Sequence, residues 1–219
     1  MRVAAAGARE NPIRSTYEQA ARKKGYSLIA GADEAGRGSL FGPVYAAAVI
    51  LDKGNPIRGL RDSKQLSRER REVLAVRIRE RALAWAVATA DATEIDAINI
   101  YQASRLAIQR AVSKLQPGPD YLLVDALQID LEIPQEGIIH GDALSPSIAA
   151  ASILAKVDRD ACLCEWDQRY PAYGLARHKG YPTPEHLEAL ALHGPTPHHR
   201  MSYAPVRQLP LFPPNEAWV

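Results

Sequence analysis

Little in this chain is built for cross-linking or for lipid. Across 219 residues it has two cysteines, Cys162 and Cys164, one residue apart and with no third thiol. That pair suits neither a disulfide framework nor a zinc site, and points to a reducing, cytoplasmic setting. No apolar run is long enough to span a bilayer. The first ten residues carry a short alanine run but lack the apolar core of a signal peptide. Repeats and low-complexity tracts are absent too, and the stretch before Ser27 is too short for an independent domain. Net charge is almost missing, at +2, but the balance hides an asymmetry. Residues 53–81 hold ten Lys/Arg against four Asp/Glu, and residues 82–148 hold three against nine. A basic segment can follow a nucleic-acid backbone while an acidic one collects cations. Taken alone, Arg68 to Arg81 reads equally as a solvated helix.

What is present is a core, at 47% hydrophobic residues, and a clear order of elements. Ser15-Thr16-Tyr17-Glu18 has the form of a capping box and predicts a helix over 16–24, stopped by Gly25. Residues 27–32, 44–51 and 83–90 read as strands, and Ser67 caps a helix running to Arg81. Residues 98–115 have apolar positions at helical spacing and end at Pro117-Gly118-Pro119. Tyr121 to Val124 is a fourth strand delivering Asp125, and 137–139 a short fifth before His140-Gly141-Asp142. Ser145-Pro146 and Thr183-Pro184 each open a further helix, the first to about Trp166 and the second to near Gly194. From Pro205 the proline-rich tail reads as irregular. The expected architecture is a mixed α/β sheet with helices packed against it. Its divisions are an N-terminal helical extension (1–26), a core (27–168), a helical C-terminal region (169–206) and a Pro-rich tail (207–219).

Chemistry is concentrated at Asp33-Glu34-Ala35-Gly36-Arg37-Gly38, which follows an apolar run. Carboxylates bind hard cations, glycines let backbone amides approach a phosphate, and arginine pairs with it. These six residues alone describe an acidic, glycine-rich turn just as well. Asp125 and Asp142 follow other strands, and loops at one edge of an α/β sheet are where ligands usually bind. Four carboxylates meeting there cannot all stay ionised without cations. Two divalent ions about 4 Å apart would activate a water and stabilise the leaving oxygen of a phosphoryl displacement.

The other charged residues have plainer readings. Asp91, Glu94 and Asp96 precede a helix, Asp120 sits in a turn, and Asp130, Glu132 and Glu136 fall in a loop. Lys64 is either a phosphate contact or part of a helix-entry turn. Lys156 either anchors a site carboxylate or extends its stem to solvent. His178, His186, His193, His198 and His199 lack partners for a compact zinc pattern and read as packing, caps or phosphate contacts. Trp85 and Trp166 read as core and Trp218 as tail.

The ordered pieces Gly31 to Gly38, Phe41-Gly42-Pro43-Val44, Asp62-Ser63-Lys64, Asn99-Ile100, Val124-Asp125, Gly141-Asp142, Ile148 to Val157, Arg159-Asp160, His178 to Tyr181 and His199-Arg200 resemble the ribonuclease H type 2 family, in its bacterial form ribonuclease HII. The resemblance implies a ribonuclease-H-like fold with a central mixed five-stranded sheet. It implies a Mg²⁺- or Mn²⁺-dependent endonuclease acting on RNA paired with DNA and on single ribonucleotides in duplex DNA, leaving 3′-hydroxyl and 5′-phosphate ends. By that resemblance Asp33, Glu34, Asp125 and Asp142 hold the metals. Gly36, Arg37 and Gly38 read the ribose–deoxyribose junction, Tyr181 packs on the adjoining deoxyribose, and Lys64 contacts phosphate near the scissile bond.

The chain departs from the family at Ser39, often proline there, at Ala126, usually glycine, and at Asp158, commonly threonine. Three other readings compete. A type III relative needs a larger N-terminal domain, a hybrid-binding module needs no carboxylate cluster, and a glycosidase needs no metal and no Arg37. Gln208-Leu209-Pro210-Leu211-Phe212 resembles the peptide by which bacterial replication and repair proteins hold a sliding clamp.

Overall fold

The structure, a computed structural model, describes residue 13 and residues 15–209. Helix α1 (Thr16–Lys23) leads into strands β1 (Ile29–Ala35) and β2 (Val44–Leu51). Helix α2 (Arg68–Arg81), strand β3 (Ala82–Ala90) and helix α3 (Ala92–Ser113) follow. Then come β4 (Tyr121–Asp125), β5 (Gln135–Ile138), α4 (Gly141–Leu144) and α5 (Pro146–Arg169). Three shorter helices, α6 (Leu175–His178), α7 (Pro184–His193) and α8 (Ala204–Arg207), complete the described chain.

The sheet order is β3-β2-β1-β4-β5. Strands β1 to β3 pair antiparallel, while β4 joins β1 and β5 joins β4 in parallel. One face buries Ala46, Ala48, Ala86 and Ala88 against Ala103, Ala107 and Ile108 of α3. The other buries Ala47 and Val49 against Ala149 to Ala155 of α5 and Leu74 and Ile78 of α2. Small side chains on both sides let the helices lie close on the sheet. The closest approach is at Gly31, where a Cβ would stand 2.1 Å from the Ser147 carbonyl carbon. Any side chain there would push α5 off β1.

Several expectations are corrected. The first strand does not end before the acids. It runs through Asp33, Glu34 and Ala35, because β2 continues to pair opposite them at Ala47, Ala46 and Tyr45. Helix α3 starts at Ala92, capped by Asp91 with Glu94 in a reciprocal capping box. Asn99, at φ 66°, kinks the helix and breaks the periodicity that hides this start. Glu136 belongs to β5 rather than a loop, and Ala204–Arg207 form one helical turn in the tail expected to be irregular. Trp85 is 38% exposed rather than core; its indole N–H donates to Arg79 O at 3.1 Å, and the Arg79 guanidinium lies 5.3 Å from its ring. The capping box at Ser15 does not form: the Ser15 side chain caps no backbone N–H, and Glu18 is buried.

Two family departures find an explanation. Asp158 pairs with Arg79 and so ties α5 to α2, away from the acids of β1. Ser39 is fully buried; its Oγ donates to Phe41 O at 2.9 Å and accepts from Phe41 N at 3.3 Å, closing the turn a proline would stiffen.

Candidate active site

Parallel pairing of Ala32 with Val124 puts Asp33 and Asp125 abreast at the next step of β1 and β4. Asp125 Oδ1 accepts from Gly141 N at 2.7 Å, which draws the start of α4, and with it Asp142, to the same edge. Asp33 and Asp142 are 5% and 4% exposed, so both carboxyls are taken from water.

The consequence is electrostatic. Burial, then Glu34 and Asp125, pushes the Asp33 carboxyl well above the usual carboxylate range, against an opposing Ser152 hydrogen bond. Burial also raises Glu34, opposed by Arg37, whose Nη1 lies 3.2 Å from Glu34 Oε1. Burial raises Asp142, opposed by Lys64, whose Nζ is 3.2 Å away. Burial lowers Lys64, but Asp142, Asp62 and Asp33 outweigh it and raise the ammonium.

Among the described residues no three His, Cys, Asp or Glu are packed as tightly as a formed metal cage. The four acids face one another at electrostatic range. They nonetheless fit hard divalent cations: all donors are carboxylate oxygens, and Glu34 Oε2 is buried with no hydrogen-bond partner. A cavity of about 670 Å³ lies elsewhere, against α1 and the loop after β2.

The turn Gly36-Arg37-Gly38 continues directly from β1. Gly36 has φ 96°, and a Cβ there would stand 2.0 Å from Arg159 Nε. Arg159 is fully buried on α5, donates from Nη2 to Lys179 O at 2.9 Å, and lies 5.5 Å from the Tyr181 ring centre. Tyr181 in turn lies 3.6 Å from where a Gly38 Cβ would be. The Arg37 carbonyl accepts from Arg200 Nη1 at 2.8 Å and Tyr203 Oη at 2.5 Å. Arg200 Nε also donates to Gly42 O at 2.9 Å. The structure therefore brings Gly36, Arg37, Gly38 and Tyr181 together, and the sequence reading missed the two buried arginines that hold them. Their signals were their place in the family-like pieces Arg159-Asp160 and His199-Arg200 and their charge inside otherwise apolar or histidine-rich stretches.

Lys64 lies in the turn capped by Asp62 and is tied down by Arg71, whose Nη1 donates to Ser63 O at 2.9 Å and Leu66 O at 2.6 Å. Part of the basic segment thus serves the fold: Arg68 pairs with Glu72, and Arg79 with Asp158. Lys156 pairs with Asp160 at 2.7 Å, not with a site carboxylate.

Ala126, beside Asp125, keeps a left-handed backbone at φ 50° despite its methyl. That conformation costs an L-residue about 1–2 kcal/mol. Ala126→Gly should therefore raise stability by about 1 kcal/mol, after the glycine's greater freedom in the unfolded chain is subtracted. Urea unfolding reads this directly, and an unchanged midpoint would show that the turn carries no strain.

Three histidines lie under Tyr181. His178 Nδ1 accepts from Gly180 N at 3.2 Å, so its Nε2 donates to Tyr173 O at 2.6 Å. His199 Nδ1 accepts from Thr196 N at 2.9 Å, so its Nε2 donates to His186 Nε2 at 3.2 Å. His186 Nδ1 then donates to Tyr181 O at 3.0 Å. Every link needs a neutral ring. Burial pushes His186 down to about 4 and His199 to about 3. The unfolded chain takes up these protons first as pH falls through about 6.5. Stability from the two rings is therefore present above about 6.5 and is lost progressively toward pH 4. Asp33, with its raised carboxyl, works in the opposite sense. Melting temperatures at several pH values should fall less steeply below pH 6.5 in His199→Gln than in the parent; equal slopes would reject the neutral chain.

The ribonuclease HII family profile matches residues 30–206. Ribonuclease HII of Solibacter usitatus is 59% identical over 199 residues, 91% of this chain and 87% of that protein. The ribonuclease H2 structure from Pyrococcus horikoshii superposes at a TM-score of 0.71 and 27% identity, covering 83% of this chain and 96% of that one. A ribonuclease HII from Archaeoglobus fulgidus, solved in complex with PCNA, gives 0.67 and 27%, covering 81% and 95%. With carboxylates, glycine–arginine turn and family match in agreement, this chain belongs to the ribonuclease HII family, divalent-metal-dependent ribonucleases H that cut the RNA of RNA–DNA hybrids.

Proposed function

We propose that this chain also cuts at single ribonucleotides embedded in duplex DNA, by in-line attack of water that leaves 3′-hydroxyl and 5′-phosphate ends. Contiguity carries the reading. Asp33 and Glu34 lie on the strand whose next turn is Gly36-Arg37-Gly38, and Tyr181 closes on Gly38. The group that breaks the bond and the group that reads the sugar are thus a few residues apart.

In this reading Asp33, Glu34, Asp125 and Asp142 hold the metal. A pair of Mg²⁺ or Mn²⁺ ions, when bound, supplies activation of the attacking water and neutralisation of the leaving oxygen. The remaining work belongs to the chain. Lys64, with a side chain 78% exposed, is free to turn from Asp142 to a phosphate. Amides freed by Gly36 and Gly38 approach the 2′-hydroxyl, the one sugar group that separates RNA from DNA. Tyr181, backed by Arg159, stacks on the neighbouring deoxyribose and keeps the junction in line. We take residues 27–168 as the catalytic core, 169–206 as the substrate-contacting region and the cytoplasm as the working compartment. A labelled duplex with one ribonucleotide, incubated with and without Mg²⁺ or Mn²⁺, tests the reading. Cleavage at the ribonucleotide only with the ion is expected; binding without cleavage in either ion would reject the proposal.

We extend the proposal to a sliding-clamp partner held through Gln208 to Phe212, where tethering raises the local concentration of enzyme at newly replicated DNA. The Archaeoglobus relative is solved with PCNA. Here Leu209 packs against the small C-terminal core, and Pro210 to Phe212 lie outside the described residues. A peptide spanning Val206 to Asn215 should bind purified clamp and lose binding on Leu211→Ala and Phe212→Ala. No binding, or binding indifferent to both changes, would reject this partner.

A further inference from the structure

Glu18 is the residue whose structural place departs furthest from its sequence reading. It sits on α1, outside the matched family region of residues 30–206, and is 4% exposed. Its Oε1 accepts from Ser145 Oγ and Ser147 Oγ, both at 2.6 Å, and from Ser147 N at 3.2 Å. A carboxylate from a separate helix thus meets the first turn of α5, where backbone N–H groups lack partners and negative charge is favoured.

That turn is the reference point for two of the four acids. Ser145 N donates to Gly141 O at 2.8 Å, closing α4, which carries Asp142. The Ser145 hydroxyl also accepts from Ile148 N at 3.2 Å, opening α5. The Ser147–Ile148 backbone is what Gly31 packs against, with a notional Cβ 2.1 Å and 2.2 Å from its atoms. Gly31 precedes Asp33 on β1 by two residues. The turn thus joins the helix that carries Asp142 to the strand that carries Asp33.

We propose that Glu18 is a positioning residue for the active site: its carboxylate locks the α4–α5 junction and so sets Asp142 against Asp33. The proposal rests on the reading of the four carboxylates as the metal-holding group. It requires no proton transfer at Glu18, only an oxygen that accepts from three donors, two of which lie on buried side chains. Removing that acceptor leaves those donors unpaired in the interior. Residues that orient metal ligands from behind typically carry about tenfold or more in metal affinity.

Isothermal titration of the full-length protein with Mn²⁺ tests this, run below the melting temperature of each variant and beside kcat and KM on a hybrid duplex. Glu18→Ala should raise the Mn²⁺ Kd about tenfold and lower kcat similarly, with KM for the duplex unchanged. Glu18→Gln should recover most of the loss, because its amide oxygen still accepts. Ser147→Ala, which removes one hydroxyl donor, should move Kd and kcat the same way by less, and carries the test if Glu18→Ala does not fold. Asp125→Asn separates the two readings. If it binds Mn²⁺ like the parent, the carboxylate site fails and this proposal falls with it. If it loses Mn²⁺ while folded Glu18→Ala or Ser147→Ala keeps the parental Kd and kcat, the site stands and Glu18 is only a staple for α1. A lower melting temperature with unchanged Kd and kcat has the same meaning.

Discussion

Asparagine in place of Asp125 or of Asp142 should lower turnover by about three orders of magnitude, ~4 kcal/mol in the barrier. The substitution keeps shape and the hydrogen bond in which residue 125 accepts from Gly141 N at 2.7 Å. It removes one charge from a group whose other members are already pushed toward protonation by burial and by each other. Duplex binding should persist, because arginine and lysine contacts to phosphate supply most of the affinity. Asp142→Asn releases Lys64 from its 3.2 Å ion pair, so duplex affinity should hold or rise slightly in that variant. Paired assays of cleavage and gel-shift affinity in Mg²⁺ decide the matter. Near-parental turnover in either variant removes that residue from the site.

Gly36→Ala should produce a loss of a different kind. At φ 96° the backbone is strained for any L-residue, and the new methyl would stand 2.0 Å from Arg159 Nε. Arg159 cannot retreat: it is fully buried and held to Lys179 O. Either the turn flips or Arg159 leaves its place under Tyr181, and both misplace the groups that flank the sugar junction. A displacement of this order costs about a hundredfold in rate. Cleavage at a single ribonucleotide should fall by that factor while Mn²⁺ affinity stays near that of the parent, since Asp33 and Glu34 lie upstream on β1 and Asp125 and Asp142 on β4 and α4. Unchanged cleavage of that substrate would remove the turn from recognition, whereas loss of Mn²⁺ affinity would make Gly36 part of the metal site's support.

Local signals carried most of the fold. The caps at Ser67, Ser145 and Thr183 all form, each side chain accepting from a backbone N–H in the first turn of its helix. Residues 44–51 are β2 as read, because an apolar run bracketed by glycine and proline leaves few alternatives. Asp125 ends β4 as expected, so the edge that gathers the acids was legible too. What the sequence hid was settled by distant partners. Nothing local says that β2 carries pairing through Asp33 and Glu34. Nothing near Glu18 distinguishes a capping glutamate from one that reaches Ser145 and Ser147. Arg159 and Arg200 entered only within pieces that resemble the family and were given no role, yet both are fully buried and serve a turn far away along the chain. The directed chain of neutral rings through His186 and His199 depends on tautomers that spacing does not reveal.

The stitching of the Gly36–Gly42 segment to the far end of the chain has a consequence for how the protein is made. Leu40 N donates to Gly180 O, Gly42 N to His198 O and Arg200 N to Leu40 O, each at 2.8 Å, and Phe41 pairs with His199. All four acids leave the ribosome well before those partners do. A nascent chain therefore has all four acids available before the segments that fix the Gly36–Gly42 stretch are made. Closing such long loops is slow relative to local folding, so the Gly36–Gly42 stretch should be among the last parts of this edge to be fixed.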